Sequence, residues 1–252
     1  MRKFIQVLTP TFIALLISTS VLAQGLEEKI QAAMKMDYRT AVDTARDADR
    51  MPVQALVFMG LGDDLKVIEF LPEEPAWYTK ILAPVLSGSG KLYVMDAEQT
   101  FESWGKLWDN PAFRNVSRIP LEIEYIFQER RYRLGELNIG VTDADMFLNV
   151  REYHNFNAED KQRLNTAVYN SLKPGGRYVI IDHSRRHNQP KTQELARRED
   201  PVQVIQDVQA AGFVLEKSSD MFFRPDDGLN LEVGNESVTG KTDRFFLVFR
   251  KP

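Results

Sequence analysis

Apolar and polar positions along the chain fall into blocks that read as strand, helix and strand. Lys66–Leu71 is a short apolar run rich in β-formers, and Lys91–Asp96 is a second. Between them, Pro72–Ala76 breaks the pattern. Trp77, Ile81, Leu82, Val85 and Leu86 then share one helical face, and Ser87-Gly88-Ser89-Gly90 ends that helix. Two buried strands joined through a helix form a βαβ unit, which requires a parallel pair with a right-handed crossover. Ligands in such sheets bind beyond the carboxyl ends of the strands. Glu69, late in the first strand, and Asp96, closing the second, stand at those ends. An acid ~20–30 residues past a first βα turn is placed to hold ribose hydroxyls.

The pattern continues on both sides of this unit. Gly25–Met36 is amphipathic, with Leu26, Ile30, Ala33 and Met34 at helical spacing. Asp43, Arg46, Asp47 and Arg50 lie three or four residues apart, so they share one helix face and can pair. That face is either a solvated salt-bridge surface or a charged cover over a site mouth. Pro52 starts a helix that Gly60 and Gly62 end. Ala97–Asn115 is helical but irregular, and its aromatics Phe101, Trp104 and Trp108 have core spacing. Ile119–Phe127 alternates and holds a third strand, followed by a polar surface turn at Gln128–Arg133. Ala144–Val150 is a further buried strand running into Arg151-Glu152-Tyr153-His154-Asn155. Asn157 is an N-cap with Asp160 three residues on, and Leu-Lys-Pro-Gly-Gly at 172–176 closes the helix that follows. Arg177–Asp182 is the next strand. Asp200-Pro201 opens a helix, Phe213–Glu216 is a strand, and Met221–Thr239 is a loop. Arg244–Arg250 follows the previous strand without a helix, so that pair is antiparallel.

Composition narrows the classes. The 252 residues suit one α/β domain. Formal net charge is −4, and no basic run offers the footprint of a nucleic-acid binder. Arg2 and Lys3, the apolar stretch Phe12–Val21 and the small-residue pattern before Gln24 predict a signal peptide over residues 1–23. The apolar stretch is too short for a membrane anchor. The expectation is a mature chain 24–252, periplasmic or secreted, with no stable membrane span after cleavage. Residues 24–62 would supply helices packing over the sheet. With no cysteine, disulfides, a Cys nucleophile and thiolate metal sites are excluded.

The element order from about Arg46 to Pro252 resembles the class I methyltransferase fold, a Rossmann-like three-layer α/β architecture that uses S-adenosylmethionine (SAM). More narrowly, the stretches ARDADRMPVQALVFMGL, WYTKILAPVL, KLYVMD, FLNVREYHNF, LKPGGRYVIIDHS and GKTDRFFLVFRKP resemble a group of exported methyltransferases. The resemblance implies a seven-stranded sheet of order 3-2-1-4-5-7-6 with the last strand antiparallel. It implies SAM as cofactor and a small-molecule acceptor. It places Glu69, Pro72, Trp77, Tyr78, Asp96, Asn149 and Arg151 around the cofactor, and Tyr153 and His154 toward the acceptor, with His154 as the candidate base. One departure stands out. Where the group carries P-G-x-G-G-W-Y-T, this chain has Pro72-Glu73-Glu74-Pro75-Ala76-Trp77-Tyr78-Thr79. Glycine there allows positive φ and close approach to the cofactor, and Pro75 removes an N–H. These changes weigh against an ordinary SAM pose. They favour an alternative, a catalytically inactive fold member that binds a small ligand or protein partner. A third possibility is a divalent metal held by His154, Asp182, His183 and His187. The adjacent Arg185 and Arg186 oppose it.

Overall fold

The computed structural model describes residues 25–252. The expected signal segment, residues 1–23, lies outside the described residues. The strands are β1 (Lys66–Phe70), β2 (Lys91–Asp96), β3 (Val116–Pro120), β4 (Ile123–Ile126), β5 (Arg131–Leu134), β6 (Ala144–Val150), β7 (Leu172–His183), β8 (Val214–Ser219) and β9 (Arg244–Arg250). Seven of them form one sheet in the order β3-β2-β1-β6-β7-β9-β8, and β4 and β5 pair apart from it. With that hairpin set aside, the order is the expected 3-2-1-4-5-7-6. β1 and β2 are parallel from Lys66↔Lys91 to Phe70↔Met95, and β9 runs antiparallel to both neighbours.

Alternation along the strands divides the core in two. Val67, Leu92, Met146 and Val248 belong to one cluster, and Ile68, Phe70, Phe147 and Ile180 to the other. A sheet covered on both faces is what near-continuous apolar strands require. Glu69 falls on the same face as Val67. That face is covered by α1 over residues 25–33, α4 (Pro52–Met59) and α5 (Thr79–Leu86). α5 contains Pro84, a break that costs about 3 kcal/mol in a free helix. Burial of Ile81, Leu82 and Val85, at about 1.5–3 kcal/mol each, offsets that cost. The carbonyl of Lys80, which Pro84 leaves without its helical donor, accepts the Tyr38 hydroxyl at 3.0 Å.

Four expectations need correction. The third strand expected within Ile119–Phe127 lies earlier: β3 spans Val116–Pro120, and Ile123–Ile126 turns away to pair with β5. Gln128–Arg133, read as a turn, therefore contains the start of β5, whose two arginines masked the strand signal of Tyr132 and Leu134. The Gly-rich stretch after Ser171 does end α7 (Ala158–Ser171), but it also belongs to β7. Leu172 pairs with Ala144 and Arg177 with Met146, so residues 173–176 bulge out between them. Finally, Asp43, Arg46, Asp47 and Arg50 do not pair with one another. Asp43 sits on α2 (Ala41–Thr44), Asp47 and Arg50 on α3 (Asp47–Arg50), and Arg46 immediately before α3. Asp43 binds Lys80 at 2.8 Å and Asp47 binds Arg39 at 2.6 Å, which leaves the two arginines turned to the cleft.

Candidate functional site

The site lies above the carboxyl ends of β1, β2, β6 and β7, and three chambers open there. The smallest, about 150 Å³, is lined by Glu69, Pro72, Trp77, Tyr78 and Arg151, together with Arg46, Arg50, Glu73 and Glu152 among others. Five of the seven expected cofactor residues thus meet in one place. Asp96 lines a separate chamber of about 360 Å³ with Thr100 and Tyr132. Glu73 and Pro75 line both and form the partition. Asn149 is fully buried, and neither amide atom has a hydrogen-bond partner.

The partition is the altered turn, and its backbone is strained. Glu73 has φ 57°, Ala76 φ 48° and Leu71 φ 48°. Glu73 and Ala76 stand where the glycine pattern has glycine, so the chain keeps a left-handed backbone that now costs about 1–2 kcal/mol per residue. Neighbouring side chains hold it in place. The Glu73 N–H donates to Asp96 Oδ2 at 2.9 Å, and Trp104 Nε1 donates to the Glu73 carbonyl at 3.1 Å. Asp96 also accepts from the Ala97 N–H and the Thr100 hydroxyl. Its carboxylate is therefore engaged in pinning the turn, and burial raises its pKa.

Glu69 is 4% exposed and accepts the Thr79 hydroxyl at 2.7 Å. Burial pushes its carboxyl up to about 8, so it is mostly protonated at neutral pH. Glu152 is raised well above the usual range by burial and by the charge of Glu73. Trp77 is locked from below, its indole N–H donating to the Asp43 carbonyl at 2.9 Å. Arg50 stacks over its ring at 4.5 Å.

Tyr153 and His154 follow β6, but neither faces the chambers. Tyr153 is fully buried in the second core cluster, its hydroxyl accepting from Asn165 at 3.0 Å. His154 Nδ1 lies 2.7 Å from Asp182 Oδ1, and Asp182 also accepts the backbone N–H groups of His154 and His183. This fully buried carboxylate fastens the end of β6 to the end of β7. The histidine that reaches the cleft is His183. Its Nδ1 is 2.8 Å from Thr242 Oγ1, and Arg151 Nε approaches its Nε2 at 3.4 Å. Burial, and after it the nearby charges of Arg151, Arg244 and Arg198, hold its pKa well below the usual value, so the ring is neutral. With Arg151 donating to Nε2, Nδ1 carries the proton and donates to Thr242. His187 pairs instead with Asp200 at 3.0 Å. Among the described residues, no group of three or more His, Cys, Asp or Glu is placed to hold a metal.

The third chamber, about 650 Å³, is the largest. It brings together Arg46 and Arg50 from the N-terminal helices, Arg151 after β6, His183 ending β7, and Arg244 opening β9. His183 and Arg244 are register partners across β7 and β9. Sequence reasoning gave Arg244 no role, because the contact depends on a strand pair whose register the sequence does not declare.

No family model matches the chain, and no curated protein matches it. Solved structures do. The cyclase SpnF superposes with a TM-score of 0.59 at 12% identity, covering 86% of this chain and 85% of SpnF. A SAM-dependent methyltransferase from Aquifex aeolicus gives 0.54 at 16% identity, covering 78% and 87%. Human N-acetylserotonin methyltransferase, solved in complex with SAM, gives 0.54 at 12% identity, covering 92% of this chain and 58% of its own. At these identities the likeness concerns architecture, and it agrees with the strand order: the chain has the class I SAM-dependent methyltransferase fold.

Proposed function

We propose that the protein is a methyltransferase-like enzyme that takes SAM over the altered turn and acts on a small acceptor. The observation that carries this is the pair of acids at the ends of neighbouring parallel strands, Glu69 and Asp96, on either side of the turn. The donor set fits SAM at both ends. Glu73 suits a cationic methionine portion, Glu69 and Glu152 would give up their protons to meet it, and Asp96 suits ribose hydroxyls once the Glu73 N–H yields its place. When bound, SAM supplies a methyl group activated by its sulfonium. The chain's own part is to exclude water behind Trp77 and Tyr78, and to hold the acceptor in line from the neighbouring large chamber. His183, neutral and lining that chamber, is the group placed to receive an acceptor proton at Nε2 once the Arg151 N–H that now approaches that nitrogen turns to the acceptor.

One observation favours a second reading, a fold member that binds a ligand and catalyses nothing. The 150 Å³ chamber is below the ~300–1,000 Å³ usual for small-molecule pockets, and the Glu73–Pro75 turn closes it toward Asp96. Titration calorimetry of residues 24–252 with SAM and with S-adenosylhomocysteine decides between them. Saturable heat at ligand concentrations of a few hundred micromolar (order of magnitude,) supports the first reading, and silence with both leaves the second. Export to the periplasm belongs to either reading. Mass spectrometry of the protein recovered from its native cell tests it, with Gln24 expected as the first residue.

A further inference from the structure

We propose that the 650 Å³ chamber is a binding site for a small organic anion, carrying a carboxylate or phosphate group on an apolar body. Read with the proposed function, on which this last step rests, that anion is the acceptor.

The inference starts from unpaired charge. Five arginines line the chamber, Arg46, Arg50, Arg151, Arg197 and Arg244. Among the described residues only Arg197 has a carboxylate within 4 Å, Glu232. The sole acid on the wall, Asp49, makes no ion pair and contributes its backbone carbonyl to Arg244 at 3.0 Å. Surface arginines without partners are ordinary, because water solvates them. Two of these are not at the surface. Arg50 is 9% exposed and Arg244 8%. The Arg50 guanidinium makes no hydrogen bond to a described residue, only its backbone N–H donating to the Arg46 carbonyl, and Arg244 Nε is buried without a partner.

A buried guanidinium with no anion is costly, and the ring faces of Trp77 under Arg50 and Phe222 under Arg244 repay only part of its desolvation. The neighbourhood raises the cost. Arg46, Arg151 and Arg244 all act on Arg50 as like charges, and Arg151 is held in the cleft with a left-handed φ of 68°. Strain and repulsion gathered in one cavity are the mark of a built site rather than of core packing. The planar guanidinium fork matches carboxylate and phosphate oxygens two at a time. The rest of the wall is apolar or small, with Ala41 and Ala45 from α2 and Val233 from the 221–239 loop. This selects an anion with a hydrocarbon part over a free inorganic ion. The chamber shares Arg46, Arg50 and Arg151 with the chamber that holds Glu69, so an occupant lies directly beside the proposed SAM position.

The test uses the 24–252 protein without SAM and four probes of one size: phenyl phosphate, phenylacetate, benzylamine and 2-phenylethanol. Calorimetry and thermal shift are expected to show 1:1 binding of at least one anion, with neither the amine nor the alcohol binding. Phenyl phosphate alone binding assigns a phosphate ester, and phenylacetate alone assigns a carboxylic acid. Arg50→Gln and Arg151→Gln should each weaken the bound anion tenfold or more. Arg50→Gln should also melt no lower than the parent, because it removes an unpartnered buried charge. Should Arg50→Gln fail to fold, Arg151→Gln at a half-buried position carries the test alone. Equal binding of all four probes, no binding of either anion, or unchanged affinity in Arg151→Gln overturns the proposal. The two proposals fail separately: SAM heat without anion binding sinks this one, and anion binding without SAM heat sinks only the methyltransferase reading.

Discussion

Individual residues in the cleft sit in states that an ordinary surface would not allow, and each has a measurable signature. Glu69 is the clearest. The unfolded chain releases this proton near 4.5, and the folded chain near 8. Between those values the folded state holds the extra proton, so the linkage lowers stability as pH rises through the window and flattens above it. Glu69→Gln keeps an acceptor for the Thr79 hydroxyl and removes the titration. The variant is expected to gain on the parent between pH 5 and pH 8. At about 1.4 kcal/mol per pH unit, the gap has an upper bound of about 3 kcal/mol by pH 7. Urea melts of both proteins at several pH values check this, and parallel pH profiles would show that Glu69 is ionised in the fold. The turn makes a second residue-level prediction. Glu73→Gly and Ala76→Gly relieve positive φ, and each is expected to stabilise by ~0.5–1 kcal/mol net of the entropy glycine adds to the unfolded chain. Adding Pro75→Gly should raise SAM affinity if the partition alone blocks the cleft. A triple variant that binds SAM no better in calorimetry places the obstruction elsewhere.

Elements position these residues through anchors that are themselves buried ion pairs. The 221–239 loop supplies Val233 to the chamber wall, and its hold on the sheet is Arg198. That side chain is fully buried, binds Asp227 through both terminal nitrogens at 2.9 and 3.0 Å, and donates to the carbonyls of Ser184 and Leu231. Removing one partner strands the other, at about 3–5 kcal/mol. Asp227→Ala is therefore expected to lower stability by that amount and to expose the loop to limited proteolysis. Cleavage no faster than in the parent would mean the loop is held by other contacts. The sequence announced most elements, because buried parallel strands are apolar and helices carry caps. Asn157 caps α7 by accepting the Asp160 N–H at 2.8 Å, and Asp200 caps α8 (Pro201–Ala210). It did not announce β4 and β5, four residues each, whose core contact is only Leu134 with Ile123 and Tyr132 packed beside it, too few apolar positions to mark a strand pair. It also did not announce how the cleft is divided. Arg46 and Arg50 were legible as a charged face, yet their orientation depends on Lys80 and Arg39 claiming the neighbouring aspartates. His183 replaced His154 at the chamber because Asp182, directly before His183 in the chain, draws the His154 ring away.

Across the whole molecule, charge is distributed against the net balance. The chain carries −4 overall, yet Arg46, Arg50, Arg151 and Arg244 converge on one concavity without carboxylate partners. A cleft of one sign in a low-dielectric wall focuses field and draws counter-charge in. Its reach is set by salt, with a Debye length of about 30 Å at 0.01 M and about 8 Å at 0.15 M. Association of an organic anion is therefore expected to slow several-fold between those salt concentrations, while dissociation changes little, since bound charges inside the chamber are shielded from ions. Trp77 reports the event, because Arg50 lies over its ring and shifts when an anion engages the guanidinium. The other two tryptophans, Trp104 and Trp108, stack on each other at 5.1 Å and do not line the chamber, so a Trp77→Phe variant supplies the blank. Stopped-flow fluorescence with phenyl phosphate or phenylacetate at the two salt concentrations makes the measurement. An association rate indifferent to salt would mean that the arginines hold the anion only after contact and play no part in drawing it to the cleft.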